Sequence, residues 1–108
     1  MDGLAQLRGP EDRSGTVHVV ATAEAVEVTL TGEIDADLGE SLDAAVRAVH
    51  SFGLPVRIDA TEVTFMDSTG VRLIARCYAN GPLTVTASPT VRFLLEILAM
   101  DDVLVQPR

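Results

Sequence analysis

Apolar and polar residues alternate along four stretches of the chain, and each stretch predicts a β-strand. The alternating apolar positions are Val17, Val19 and Ala21; Val26, Val28 and Leu30; Leu54, Val56, Ile58 and Ala60; and Leu83, Val85 and Ala87. Successive side chains of a strand point to opposite faces of a sheet, so the last three stretches each predict one apolar and one polar face. The first two stretches are close enough in sequence to form a hairpin.

Three further stretches repeat apolar residues at intervals of three and four, which is the spacing of an amphipathic helix. Their inner stripes are predicted at Leu38, Leu42, Ala45, Val46 and Val49; at Val71, Ile74, Ala75 and Tyr78; and at Val91, Leu94, Leu95 and Leu98, with Phe93 and Ile97 widening the last. Helix-start signals agree, because Asp37 and Glu40 have the spacing of a capping box and Ser88 precedes a proline. The first helix is expected to end near Gly53.

The order of these elements predicts a small α/β domain with two layers. A sheet covered on both faces would read as continuous apolar runs, whereas these strands alternate, so we expect helices over one face only. A short edge strand is predicted at Val103–Val105, after the third helix. The 108 residues are enough for one domain, which we assign to residues 16–108, with residues 1–15 as a flexible tail.

The charge balance excludes several classes of function. The chain has 16 acidic and 8 basic residues, and every basic residue is an arginine. A net charge of −8 is the opposite of the basic surface that nucleic-acid binding needs, whereas it favours approach by a basic protein partner. P-loop NTPases, kinase cores and Schiff-base enzymes require a lysine, which this chain lacks.

The same features predict where the protein works. No apolar run is long enough to span a bilayer, and the polar N-terminus does not have the pattern of a signal peptide. The single Cys77 provides no disulfide framework, which suits a reducing compartment. We therefore expect a cytoplasmic protein without membrane insertion.

The strongest candidate site lies between Thr64 and Ile74. An extended apolar run ends at Asp67, after which Ser68, Thr69 and Gly70 lead into the second helix. Asp, Ser and Thr side chains accept hydrogen bonds from the free amides of a first helical turn, where negative charge is also favoured. From the local motif alone, a helix cap is the simpler interpretation of Ser68.

The remaining chemistry-bearing residues form no recognisable set. Glu33 and Asp35 are close in sequence, but adjacent acids at a strand end are usually solvated, and no second constellation supports hydrolysis. Cys77 has no His or Asp at a motif spacing, so we interpret it as a structural thiol. His18 and His50 are far apart in sequence, and no metal-ligand cluster is visible.

Four segments together resemble the STAS-domain anti-sigma-factor antagonists of bacteria. They are Gly32-Glu33-Ile34-Asp35, then Asp59 with Val63 and the following Phe65-Met66-Asp67-Ser68-Thr69-Gly70, the run Ser88–Leu95, and Asp101-Asp102-Val103-Leu104. The resemblance extends from about Val17 to Val105. It implies a two-layer STAS fold with a mixed sheet of four to five strands and about three helices on one face.

The resemblance also implies a phosphorylation switch in which this protein is the substrate and not the enzyme. In that family the serine after the aspartate is phosphorylated by an anti-sigma factor that is also a serine kinase of the histidine-kinase-like ATPase fold. The unphosphorylated antagonist binds this kinase and releases a sigma factor, and a PP2C-type phosphatase resets the cycle. Carried over, the acceptor is Ser68, and the surrounding partner-binding residues are Asp35, Asp67, Thr69, Gly70 and Arg72. The protein is expected to be a monomer that needs no cofactor or metal.

Two other functions remain open at this stage. The first is a non-catalytic STAS subunit docked on the ATPase of a membrane transporter. In that case the turn formed by Asp67, Ser68, Thr69 and Gly70, here called the Ser68 corner, is an unphosphorylated contact surface. A second helix that is several residues shorter than usual for the family keeps this alternative open. The second is a hydrolase with Ser68 as nucleophile, but neither His18 nor His50 stands at a spacing that supplies its base.

Overall fold

A computed structural model of the protein, which describes residues 15–105, shows four strands and three α-helices around one hydrophobic core. The strands are β1 (Thr16–Ala21), β2 (Val26–Ile34), β3 (Val56–Met66) and β4 (Leu83–Ala87), and the helices are α1 (Gly39–Phe52), α2 (Ser68–Asn80) and α3 (Pro89–Ile97). Two short 3-10 turns occupy Ala36–Leu38 and Asp101–Val103. Apart from Gly15, which is buried, the predicted tail lies outside the described residues.

The strands form one mixed sheet in the order β1-β2-β3-β4, which confirms the two-layer α/β prediction. β1 is antiparallel to β2, whereas β2, β3 and β4 are parallel neighbours. Alternate side chains of β2 and β3 are buried towards the core, and the intervening ones, such as Arg57 and Asp59, are exposed. The helices therefore cover one face, and the other face carries polar side chains.

A threonine makes the hairpin turn between β1 and β2, in the absence of an Asn-Gly pair. The hydroxyl oxygen of Thr22 accepts hydrogen bonds from the amides of Glu24 and Ala25, at 3.2 and 3.1 Å. The Thr22 amide donates to the Ala25 carbonyl at 2.8 Å and closes the turn. A threonine hydroxyl thus stabilises the reversal that an Asn-Gly dipeptide stabilises in other hairpins.

The pairing of β2 with β3 is irregular at two places, and at each of them β3 has one residue more than β2. The register shifts between Thr29 and Thr31 and again between Gly32 and Glu33, and Gly32 has a φ of 75°. This left-handed conformation favours glycine, which explains the residue at the second shift. β2 continues past Gly32 to Ile34, so its end lies next to the end of β3.

The three helices span the stretches predicted from the sequence, but the side chains that α2 and α3 bury differ in part from those predicted. In α1 the residues Leu42, Ala45, Val46 and Val49 are buried as predicted, and Gly53, with a φ of 62°, ends the helix. In α2 the buried residues are Gly70, Leu73, Ile74 and Cys77, so the inner face is turned by about one residue from the prediction and Tyr78 is exposed. In α3 only Val91 and Leu95 are fully inside, and Leu98 is 44% exposed.

Three local predictions were wrong. The side chain of Asp35, not that of Asp37, makes the cap before α1, because it accepts from the Asp37 amide at 3.0 Å and begins a 3-10 turn. Val103–Val105 is not a strand: Val103 ends a 3-10 turn, and Leu104 alone bridges to Val85.

The third wrong prediction concerns Phe93 and Ile97, which do not widen the core. They are 62% and 63% exposed, on the side of α3 that faces away from the sheet. Their spacing of four places them next to each other on the helix surface.

Candidate functional site

Two carboxylates stand at equivalent positions at the ends of neighbouring parallel strands. Ile34 pairs with Met66 in the sheet register, so the next residues, Asp35 and Asp67, are neighbours at the carboxyl ends of β2 and β3. The Asp67 amide donates to the Ile34 carbonyl at 3.1 Å and holds the two ends together. Adjacent strands lie about 4.8 Å apart, so these acidic residues share one small surface.

Each of these carboxylates caps the turn that follows it. Asp67 is the N-cap of α2, and its Oδ1 accepts a hydrogen bond from the Thr69 amide at 2.8 Å. The Asp67 carbonyl accepts from the amides of Gly70 and Val71, at 3.1 and 3.2 Å. The capping interpretation of Ser68 is therefore wrong, because Asp67 caps the helix and Ser68 is its first residue.

Ser68 is thus an exposed hydroxyl at the positive end of a helix. Thr69 is half-buried in the same first turn. Arg72 is exposed one turn further along α2, four residues after Ser68. This spacing places a cation on the same helix surface as the serine.

Gly70 lies underneath the site and not on its surface. A Cβ atom at this position would stand 2.6 Å from Met66 Cγ and 2.8 Å from Ile34 Cγ2. Real Cβ atoms do not approach other atoms so closely, so only glycine lets the first turn of α2 rest directly on the strand ends. Gly70 therefore sets the position of Asp67 and Ser68 through packing. Because Gly70 is buried, it does not itself contact a partner.

Acidic residues dominate the surroundings of the corner. Glu33, Asp35, Asp37 and Asp67 all lie at the ends of β2 and β3 or in the turn after β2. The described residues carry 13 acidic side chains and 5 arginines, a formal charge of 5 − 13 = −8. The surface around Ser68 is therefore negative, apart from the first turn of α2 and Arg72.

One residue of the corner was missed by the sequence analysis. Phe65 is 48% exposed, two residues before Asp67, and pairs with Glu33 across the sheet. The signal was present in the sequence: if Met66 points into the core, the alternation of a strand sends Phe65 outward. An exposed aromatic side chain beside a polar corner is a common anchor in protein interfaces.

The two histidines and the single cysteine lie away from the Ser68 corner. His18 lies on β1, and His50 lies near the end of α1, beside Arg76 and Asn80 at the end of α2 opposite Ser68. Cys77 is buried, and burial raises the pKa of its thiol from 9.0 to about 11. Within residues 15–105 no three His, Cys, Asp or Glu side chains form a possible metal site, and no helix is long and apolar enough to cross a membrane.

A family model described as "Mlab, STAS domain" matches residues 17–106, which is most of the chain. The chain belongs to the STAS domain family. No curated protein matches the chain in sequence.

Solved structures with the same fold include anti-sigma factor antagonists. One, from Mycobacterium paratuberculosis, is 26% identical, with 88% of each chain covered and a TM-score of 0.75. The unphosphorylated form of the antagonist SpoIIAA is 21% identical over 88% of this chain and 89% of that one, with a TM-score of 0.65. The phosphorylated form of SpoIIAA, a Bacillus cell fate determinant, is 21% identical over 88% and 92%, with a TM-score of 0.68. At 21% identity the likeness to SpoIIAA shows the shared fold alone.

Proposed function

We propose that this STAS domain is an anti-sigma-factor antagonist that is switched off by phosphorylation of Ser68. The observation that carries the proposal is an exposed serine at the first position of α2, directly after a capping aspartate and among further carboxylates. The likeness to the mycobacterial antagonist supports the general role. In this scheme the unphosphorylated domain binds an anti-sigma factor with serine kinase activity, which then releases its sigma factor.

The geometry suits a serine that a kinase must reach. Ser68 is exposed, whereas the neighbouring hydroxyl of Thr69 is half-buried beside the capping carboxylate. A phosphate on Ser68 would lie at the positive end of α2, a gain of about 1 kcal/mol, although the amides of Thr69 and Gly70 already donate to Asp67. The kinase supplies Mg-ATP, and the domain itself supplies only the acceptor hydroxyl.

A phosphate on Ser68 acts by charge and bulk within the docking surface. It adds about two negative charges at neutral pH. A partner surface docked on Ser68 would have to desolvate this charged group, or move away from it and lose contacts. A hundredfold loss of partner affinity requires only about 2.7 kcal/mol, so no change of fold is needed. A PP2C-type phosphatase would restore the binding form.

The site of modification is tested by isolating the protein from its own cells under phosphatase inhibition. Mass spectrometry of the intact chain and its peptides is expected to show one phosphate, located on Ser68, which the Ser68→Ala variant lacks. The neighbouring Thr69 provides an internal control, because the same peptide would reveal a phosphate there. A phosphate on Thr69, or none under any condition in which the kinase is active, would contradict the proposal.

A second candidate function is a constitutive STAS subunit of a transporter ATPase. It is favoured by Phe93 and Ile97, because a pair of apolar side chains more than 60% exposed on one helix is more typical of a permanent interface than of a transient one. In that case Ser68→Asp would leave the complex intact. Replacing Phe93 and Ile97 by serine would dissociate it.

A further inference from the structure

The outer edge of β1 is unpaired in the part of the chain that the structure describes. β1 pairs with β2 on one side and has no strand on its other side within residues 15–105. The opposite edge of the sheet is covered, since Leu104 bridges to Val85 and the Val105 amide donates to the Val85 carbonyl at 2.9 Å. An uncovered edge presents a row of free backbone donors and acceptors to a further strand.

β1 lacks the features with which proteins block such an edge. The strand Thr16–Ala21 reads TVHVVA, with no proline and no residue of fixed charge. Its pairing with β2 is unbroken over all six residues, so no bulge twists the edge away. Val20 on the exposed face is 58% exposed. Edges that avoid association usually carry lysine, proline or a bulge.

The hydrogen-bond pattern identifies which residues face outward. In an antiparallel pair, residues alternate between those that bond the partner strand and those that point away from it. The Thr22 amide bonds to Ala25, so the next pair, Ala21 with Val26, is non-bonded. The Val26 amide indeed donates to Pro55 on the β3 side. It follows that Val17, Val19 and Ala21 direct their amides and carbonyls to the free edge.

These three positions are self-complementary in an antiparallel arrangement. If Val19 faces Val19 of a second copy, then Val17 faces Ala21, and three bonded pairs with two hydrogen bonds each give six. On the exposed face His18 then lies opposite Val20 of the second copy, so no like charges meet. We propose that β1 of one chain pairs with β1 of a second copy about a two-fold axis at Val19, forming a continuous eight-stranded sheet.

The interface is small and leaves the Ser68 corner free. A single pair of six-residue strands buries less than the roughly 800 Å² per partner that stable complexes need, so the association is weak and depends on concentration. β2 separates the edge from β3 and from Ser68. Both copies therefore keep an accessible serine, and the sequence-based expectation of a monomer applies only to dilute protein.

Sedimentation equilibrium of the full chain over a wide range of concentrations measures how tightly two copies associate. Two double variants test whether His18 of one copy faces Val20 of the other. In His18→Lys/Val20→Lys, two pairs of like charges face each other across the axis, whereas in His18→Lys/Val20→Glu the same positions attract. The second variant is expected to dimerise at least about tenfold more tightly than the first at low salt.

The intrachain effect of these substitutions has the opposite sign, which separates association from folding. Val20 pairs with Glu27 within one chain, so a lysine there stabilises the monomer and a glutamate destabilises it. Circular dichroism melting of both variants measures this intrachain term. A chain that remains monomeric at every concentration, or two variants that dimerise equally, would overturn the proposed interface.

Discussion

Replacing Gly70 by alanine should loosen the whole Ser68 corner through one added methyl group. The new Cβ would stand 2.6 Å from Met66 Cγ, 2.8 Å from Ile34 Cγ2 and 3.0 Å from Met66 Cε. Ile34 is fully buried and Met66 is 5% exposed, so neither side chain has free space to move into. The first turn of α2 must therefore move away from the strand ends, together with Asp67 and Ser68.

The expected cost follows from two opposing terms. Overpacking a dense core costs typically about 1–3 kcal/mol, and the stiff, buried Ile34 places this site in the upper part of that range. Alanine in place of glycine inside a helix raises the free energy of unfolding by about 1 kcal/mol. The net loss of unfolding free energy is then about 1–2 kcal/mol, or a fall in Tm of roughly 5–15 °C for a domain of this size.

Urea unfolding followed by circular dichroism measures this loss, and Gly39→Ala is the matched control. Gly39 also stands in the first turn of a helix, with its backbone in the right-handed helical region, but a Cβ there meets nothing within 4 Å. The same substitution should therefore stabilise the protein, by about 0.5–1 kcal/mol. Equal effects of the two substitutions would refute the packing argument.

A double-mutant cycle with Met66→Ala tests the named contact. Met66→Ala removes two of the three close atoms, so Gly70→Ala should cost less in that background than alone. An additive result would show that Met66 does not oppose the new methyl group.

Three further predictions concern the cap, the switch and the buried thiol. Asp67→Ala should destabilise the domain by about 0.5–2 kcal/mol in urea unfolding, whereas Asp67→Asn, which keeps a capping oxygen, should cost clearly less. Phosphorylated and free protein should give the same far-ultraviolet circular dichroism spectrum, and a large difference would contradict a switch that acts by charge and bulk. The pKa of Cys77 is raised from 9.0 to about 11, so above pH 9 unfolding releases a proton and stability should fall until about pH 11. A Cys77→Ala variant should lose this part of the pH dependence.

The sequence predicted the fold well where a single periodicity decides the structure. The alternation in β4 and the stripe of α1 were confirmed, because these elements bury one face against one neighbour. In β1 the alternation holds for Val17 and Val19, which are half-buried, but not for Ala21, which is exposed. In β3 the alternation fails between Ala60 and Met66, since the two register shifts change which side chains face the core. Such a shift depends on the neighbouring strand and leaves no local signal.

Counting the apolar residues along α2 does not identify correctly which face of the helix is buried. Val71 and Tyr78 are more apolar in appearance than Gly70, yet Gly70 is buried because the helix approaches the strand ends so closely. A glycine contributes nothing to an apolar stripe, although its missing side chain is what permits the contact. The inner face was therefore assigned about one residue away from its position.

The sequence indicated which residues form the candidate site but not how they are arranged. The acidic residues after β2 and β3 meet because parallel strands end at one edge, a consequence of topology that the family resemblance supplied. Which side chain caps α2 could not be decided from the order Asp67-Ser68-Thr69, since all three residue types make caps. The exposure of Ser68 follows once Asp67 takes that role.

The most direct test of the Ser68 switch is affinity capture from the host's own lysate with three baits. Ser68→Ala keeps the free form, Ser68→Asp adds charge at the site, and Ser51→Asp adds the same charge at an exposed serine near the end of α1. Ser68→Ala and Ser51→Asp are expected to retain a histidine-kinase-like ATPase, identified by mass spectrometry, and Ser68→Asp is expected to lose it. If all three baits retain the same partner, or if that partner is a transporter ATPase, Ser68 is a contact residue and the phosphorylation switch is wrong.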